Sequence, residues 1–188
     1  MTSKLKNFAR SHSVIRVETT HPDETAFRGV LLEANAAFAT IHEIEELEPN
    51  GYIALPNKSV KEVRSGEYEK CAGDILRTVL NYKVTEVKEL FLGLSTIEEM
   101  LATLKANAIW PAVEILYKGE ASVYIGPIIS LDASSFRMFC YDAAGKWESE
   151  YELDYDEIFK IEIESRYVRH FNEYMRRRIP AALKKKLS

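Results

Sequence analysis

The apolar and polar positions along the chain change their period twice, from strict alternation to the spacing of a helix. Residues 14–33 are interpreted as two extended segments, and residues 38–44 alternate in the manner of a half-buried strand. After Tyr68 the apolar residues follow at spacings of three and four, which predicts a helix, and the same change follows Tyr167. The predicted buried stripes are Tyr68, Cys71, Ala72, Ile75, Leu76 and Val79 in the first helix, and Tyr167, Val168, Phe171, Tyr174, Met175 and Ile179 in the second.

This pattern occurs twice, at an offset of about 97 residues. Gly29 lies midway through the second extended segment of the first copy, and Gly126 has the same place in the second copy. Each copy amounts to about five short strands and one helix, which is typical of a small, strongly bent barrel whose glycine permits the bend. Tight turns are predicted at Pro49-Asn50-Gly51 and Ala143-Ala144-Gly145, and the last strands at Val60–Val63 and Ile158–Ile161.

A helical linker is predicted between the two copies. Ser95 and Thr96 each precede a glutamate by three residues, as in a capping box, and an apolar helix face follows them. That face consists of Ile97, Met100, Leu101 and Leu104. The predicted organisation is a flexible basic N-terminus at 1–12, a first barrel with its helix at 13–81, the linker at 82–109, a second barrel with its helix at 110–180, and a basic tail at 181–188.

Two units of this kind resemble the SH3-like and Sm-like small barrels. Val63-Arg64-Ser65-Gly66 is similar to the Ile-Arg-Gly signature that ends the Sm pattern. The resemblance implies a mainly β, α+β fold of two tandem barrels, each followed by a helix. Sm proteins read uridine with an Asn in an early loop and with that Arg-Gly pair. The second copy has Glu164-Ser165-Arg166 there and no Asn aligns in both, so RNA binding is not carried over.

Composition and charge indicate whether the protein is folded, secreted or embedded in a membrane. The 188 residues are 46% hydrophobic and 29% charged, as in ordinary folded proteins. Cys71 and Cys140 lack the spacing of a secreted disulfide scaffold, and the sequence shows no export signal or apolar run for a membrane span, so we expect a soluble cytoplasmic protein. The net charge of −4 divides into +4 over 1–16, −15 over 17–164 and +7 over 165–188.

Motifs for catalysis or cofactor binding are not recognisable. The spacings of His12, His21, His42 and His170 exclude a metal shared on one helix, and we interpret these histidines as surface residues. The glycines are too dispersed for a phosphate loop, and Cys71 has the position of a core residue. We therefore predict no cofactor, no metal site and no catalytic residue.

The most informative local pattern is an acidic ladder at period two. The ladder consists of Glu148, Glu150, Glu152 and Asp154. On a strand these carboxylates share one face, opposite Tyr151, Leu153 and Tyr155. That face is either a solvated outer surface that discourages edge pairing or a negative surface that binds a basic protein partner. In the other copy Glu43, Glu45, Glu46 and Glu48 offer the same charge.

The C-terminal segment is the basic counterpart of the ladder. It carries Arg176, Arg177, Arg178, Lys184, Lys185 and Lys186. These cations suit either the phosphates of nucleic acid or a helix end with a solvated tail. We expect a non-catalytic protein that binds a basic protein partner through acidic barrel surfaces or the groove between the barrels. A nucleic-acid-binding protein that uses the basic C-terminus is the alternative.

Overall fold

The computed structural model describes residues 8–9, 11–21, 26–83 and 93–187. Within them lie eleven strands and four helices, so the fold is mixed α+β. The chain divides into two units, Met1–Thr96 and Ile97–Ser188. The predicted N-terminus at 1–12 and the predicted linker at 82–109 lie partly outside the described residues.

The first unit is built from five antiparallel strands. They are β1 (Val14–Thr19), β2 (Ala26–Ala34), β3 (Phe38–Glu45), β4 (Glu48–Pro56) and β5 (Val60–Arg64). Their order is β5-β1-β2-β3-β4. A 3₁₀ turn at Asn57–Ser59 precedes β5, and helix α1 (Glu67–Thr78) follows it.

Alternating apolar residues of these strands form the core of the first unit. The side chains of Ile15, Val17, Leu31, Ile41 and Ile53 are at most 1% exposed. Burial of each such side chain stabilises the fold by about 1.5–3 kcal/mol. The strands predicted from the period-two pattern are confirmed here.

The tight turn of the first unit is formed by Glu46 and Leu47, and the prediction of a turn at Pro49-Asn50-Gly51 is wrong. Gly51 lies inside β4 with a φ of 80°, where the register with β3 shifts. The glycine therefore marks a β-bulge in the strand pair. Bulges, like turns, favour glycine because it adopts a positive φ without a steric penalty.

The second unit begins with helix α2 (Ile97–Ala106) and continues with six strands. They are β6 (Ala112–Tyr117), β7 (Glu120–Ile125), β8 (Ile128–Leu131), β9 (Ser135–Tyr141), β10 (Trp147–Asp154) and β11 (Ile158–Ile163). The pairs follow the orders β11-β6-β7 and β10-β9-β8. A 3₁₀ turn at Tyr155–Glu157 precedes β11, and α3 (Arg166–Arg176) and α4 (Ala181–Leu187) end the unit. The turn predicted at 143–145 is confirmed.

One glycine in each unit lies where two strands come unusually close. A Cβ on Gly29 would lie 2.2 Å from the carbonyl oxygen of His42, and a Cβ on Gly126 would lie 2.2 Å from that of Phe139. No side chain fits at either position, so glycine permits the approach. The strand pairs described in each unit do not close into a ring, and the barrel architecture stays a prediction.

Helix α2 agrees with its sequence pattern. Its apolar face is buried as predicted, at Ile97, Met100, Leu101 and Leu104. The helix belongs to the second unit, where it packs on β8.

Helix α1 presents a different face to the strands from the one that its apolar spacing predicts. Its buried residues are Glu69, Ala72 and Leu76. Tyr68 is 60% exposed, Val79 is 67% exposed and Cys71 is exposed as well. The predicted burial of these three residues is therefore wrong.

The buried glutamate of α1 explains this difference. The Glu69 carboxylate accepts a hydrogen bond from the backbone N–H of Gly66 at 2.8 Å and lies 3.7 Å from the Arg28 guanidinium. A carboxylate that is hydrogen-bonded and paired can be buried, whereas a hydropathy pattern counts it as polar. The helix therefore turns by about one residue relative to the predicted stripe.

Helix α3 departs from its pattern for a similar reason. The predicted stripe includes Tyr167 and Tyr174, which are 49% and 46% exposed. Asn172 is buried instead, because its amide donates to the carbonyl of Trp110 at 2.7 Å and accepts from the Tyr141 hydroxyl at 2.8 Å. The residues that the stripe predicts correctly are Val168 and Met175.

Candidate functional site

The acidic ladder lies on β10, which pairs with β9. Glu148, Glu152 and Asp154 are exposed. Glu150 is half-buried, and Leu153 between the carboxylates is buried. Glu150, Glu152 and Asp154 therefore share one side of the strand, whereas Glu148 lies where the register with β9 shifts.

Two ladder carboxylates contact side chains of neighbouring residues. Glu152 lies 3.2 Å from the Arg137 guanidinium and accepts a hydrogen bond from the Ser135 hydroxyl at 2.9 Å. Glu148 accepts a hydrogen bond from the Tyr151 hydroxyl at 3.3 Å. Part of the negative charge is thus balanced within the sheet itself.

The ladder also contacts the basic C-terminus. Lys186, in the last turn of α4, forms an ion pair with Glu150. Leu183 in the same helix is fully buried. Residues 181–187 of the predicted tail therefore form a helix that is anchored in the second unit, and the two candidate surfaces meet there.

Two of the C-terminal arginines pack against aromatic rings. The Arg176 guanidinium lies 4.2 Å from the ring centre of Trp110, and burial lowers its pKa. Arg178 lies 3.7 Å over the ring of Tyr174, and its carbonyl accepts a hydrogen bond from the Trp147 indole at 2.9 Å. These arginines stabilise the second unit through stacking and packing.

The remaining C-terminal cations of this set are exposed. Arg177 lies 2.6 Å from the Glu173 carboxylate, one turn earlier in α3. Lys184 and Lys185 are exposed on α4. Among the candidate nucleic-acid-binding residues, Arg176, Arg177, Arg178 and Lys186 contact groups of the second unit.

A second acidic surface in the first unit lines a groove of about 340 Å³. Glu43, Glu45 and Glu46, from the end of β3 and the turn that follows, line one side. Tyr68 of α1 lines it as well, and Arg28 lies 4.9 Å from the ring centre of that tyrosine. The lining thus carries three carboxylates and one guanidinium beside an exposed aromatic ring.

The turn that carries these carboxylates has an uncommon backbone. Both central residues, Glu46 and Leu47, have a positive φ, of 50° and 67°. Gly or Asn usually occupies such positions, because a left-handed conformation costs other residues roughly 1–2 kcal/mol. The strained turn places the side chain of Glu46 at the tip of the hairpin.

A larger cavity of about 560 Å³ lies beside α1 and is lined by His12, Asp74 and Tyr82, among others. The hydroxyl of Tyr82 lies 2.5 Å from Nδ1 of His42, whose ring stacks on Tyr52 at 4.7 Å. Burial lowers the pKa of His42 to about 4, so the imidazole is neutral at pH 7. It therefore acts as a packed polar group rather than a surface cation.

The interpretation of the four histidines as surface residues is wrong for two of them. His21 is 7% exposed and His42 is partly buried, whereas His12 and His170 are exposed. The signal for His42 was present in the repeat, since the residue 97 positions later is Phe139. A position that holds phenylalanine in one copy favours a packed ring in the other.

The two cysteines have opposite environments. Cys71 is exposed, so its interpretation as a core residue is wrong. Cys140 is 1% exposed, and burial, with a smaller effect from Glu148, raises the pKa of its thiol to about 12. Cys71 is therefore the more accessible of the two thiols.

Within the described ranges, no three His, Cys, Asp or Glu side chains are grouped so that they could hold a metal ion. The same part of the chain contains no helix with the length and apolarity of a membrane span. Comparisons with protein-family models, with curated proteins and with solved structures gave no match.

Proposed function

We propose that the chain is a non-catalytic binding protein whose acidic surfaces bind a protein partner with a basic face. The observation that carries this proposal is the ion pair between Lys186 of α4 and Glu150 of the ladder. A basic helix of the chain itself already lies against the acidic strand, and a basic segment of another protein would use the same chemistry. Such attraction accelerates association and weakens with salt.

The proposal includes two tandem barrels of the SH3-like or Sm-like kind, since barrels of this size commonly serve as binding modules. The strand order β5-β1-β2-β3-β4 has a counterpart in the second unit when β7 and β8 are taken as one bent strand. The 3₁₀ turns at Asn57–Ser59 and Tyr155–Glu157 are offset by 98 residues, and the contacts of Gly29 and Gly126 by 97. These correspondences support a repeated unit, while function rests on the charged surfaces.

Charge reversal tests the role of the ladder. Binding of a fluorescent lysine-rich peptide is measured by anisotropy with the full chain and with a variant that reverses three ladder residues. The variant is Glu148→Lys, Glu150→Lys and Glu152→Lys. We expect at least a tenfold loss of affinity, about 1.4 kcal/mol, because attraction becomes repulsion.

The matched control reverses three exposed carboxylates elsewhere in the second unit. It is Glu98→Lys, Glu99→Lys and Glu120→Lys. Its affinity should fall much less, since its charge change is equal but none of its three carboxylates belongs to the ladder. Equal losses in both variants, or no binding by the unaltered chain at low salt, would count against the ladder as a binding surface.

The alternative, a nucleic-acid-binding protein that uses the basic C-terminus, has less support, because most of the candidate cations contact groups of their own unit. It predicts salt-steep binding of an RNA pool that is lost when Lys184, Lys185 and Lys186 are changed to Glu. A gel-shift assay at low salt that shows no complex would remove this alternative.

A further inference from the structure

Helix α1 carries an apolar face that is largely uncovered by the described residues. Tyr68, Cys71, Ile75 and Val79 follow at spacings of three and four, which places them along one side of the helix. Tyr68 and Val79 are 60% and 67% exposed, and the adjoining Leu80 is 49% exposed. Apolar residues aligned in this way, unlike scattered ones, mark interaction sites.

The face lies beside the buried arc of α1. The residues that are buried in α1 are Glu69, Ala72 and Leu76, about one residue, or 100°, around the helix from the face. The exposed residues are therefore an addition to the packing of the helix and not a part of its core contacts.

Negative charge lies at the N-terminal end of the same face. Tyr68 belongs both to the face and to the groove that Glu43, Glu45 and Glu46 line. Exposed Glu67 begins the helix beside it. Arg28 also lies 4.9 Å from the ring centre of Tyr68, so the groove has three carboxylates against one guanidinium and remains negative. A segment that covers the apolar face would therefore extend its end toward a net negative charge.

We propose that this face of α1 binds an amphipathic basic helix of a protein partner. The partner's apolar side chains cover the face from Tyr68 to Val79, and its Lys or Arg side chains reach the carboxylates of Glu45 and Glu46. The face spans 11 residue steps, about 16 Å, which matches three turns of a partner helix. Two helices with apolar stripes pack by inserting ridges into grooves, and this is a common mode of peptide recognition.

This site is additional to the ladder of the second unit. Like the proposed function, this site requires a basic partner, but it is formed by different residues, which belong to the first unit. Variants of each surface therefore serve as controls for the other, and one can fail while the other stands.

The test uses fluorescent synthetic peptides of about 18 residues, five helical turns. One peptide is amphipathic, with Leu on one face and Lys on the other, the second has the same composition in scrambled order, and the third replaces each Lys by Glu. Anisotropy titrations with the full chain should show binding of the first peptide, and at least tenfold weaker binding of the other two. The affinity of the first peptide should also fall as salt is raised.

Substitutions on the face locate the site. Val79→Asp and Tyr68→Ala should each weaken binding of the amphipathic peptide at least fivefold, and Glu45→Lys with Glu46→Lys should do the same. The matched control is Tyr167→Ala, which removes another exposed tyrosine, 49% against 60%, at the start of α3. Circular dichroism confirms that each exposed substitution leaves the fold intact.

Three results would overturn the proposal. The scrambled peptide binds as well as the amphipathic one, or Val79→Asp and Tyr68→Ala leave the affinity unchanged. The third is a dimer of the full chain in light scattering that Val79→Asp converts to a monomer, because the face would then be covered by a second copy. Failure of the ladder variants alone would bear on the proposed function and leave this site standing.

Discussion

At Gly29 and Gly126 the absence of a side chain allows two strands to approach closely. We expect Gly29→Ala and Gly126→Ala each to destabilise the protein by about 2–3 kcal/mol, because the added Cβ would lie 2.2 Å from a carbonyl oxygen. Urea unfolding curves measure the change. As a control, Gly73→Ala in α1 should stabilise by about 0.5–1 kcal/mol, since its Cβ would meet Val14 at an ordinary 3.5 Å. Equal effects at all three positions would contradict this account.

His42 should make stability depend on pH. Its pKa is about 4 in the folded chain against an ordinary 6.5, so the unfolded chain binds a proton over this interval that the folded chain does not. Stability therefore falls as the pH is lowered from 6.5 to 4, by on the order of 3 kcal/mol at most.

The variant His42→Phe isolates this contribution. Phenylalanine does not titrate, and Phe139 holds the matching position in the second unit. Urea unfolding at pH 7 and at pH 4.5 should show a smaller difference for the variant than for the unaltered chain. An unchanged difference would mean that other groups govern the acid sensitivity.

At the scale of elements, the sequence pattern predicts the strands and helices well but not the faces of two helices. The face of α2 is predicted correctly because all its buried residues are apolar. In α1 and α3 a polar residue, Glu69 or Asn172, lies on the buried arc. Their burial depends on hydrogen bonds with distant residues such as Arg28 and Trp110, and no local period contains those partners.

Strand β7 should be the least protected strand of the second unit. It ends the order β11-β6-β7, and Glu120 to Val123 are exposed. Edge strands with few buried contacts open with a low free energy. Hydrogen exchange followed by mass spectrometry should show faster exchange in β7 than in β9, which pairs on both sides. Equal protection of the two strands would contradict this expectation.

For the whole molecule, the positive and negative charges that are separated along the sequence nearly balance within each unit. The first unit contains 12 basic and 14 acidic side chains, and the second contains 13 and 15. The acidic middle and the basic C-terminus therefore nearly cancel within the second unit. The ladder was predictable from its period, but its contact with Lys186 was not, because it joins residues 36 positions apart.

Reversal of the α4 lysines tests this balance. Lys184→Glu, Lys185→Glu and Lys186→Glu together should lower the melting temperature by several degrees at low salt, since they add repulsion and remove the ion pair with Glu150. Added salt should restore part of the loss. The control reverses exposed Lys61, Lys105 and Lys118, which makes the same charge change at positions outside β10 and α4. A control that melts as low as the test variant would refute a specific role for α4.

The strained turn of Glu46 and Leu47 offers a position at which one substitution can stabilise the protein. Leu47→Gly relieves a positive φ of 67° and keeps every carboxylate of the groove, so it should raise stability by about 1 kcal/mol in urea unfolding. Unchanged or lower stability would show that the packing of Leu47 outweighs its backbone strain. If Leu47→Gly raises the stability as expected, destabilising substitutions in the groove can be studied in this more stable variant, which has the same charge as the unaltered chain.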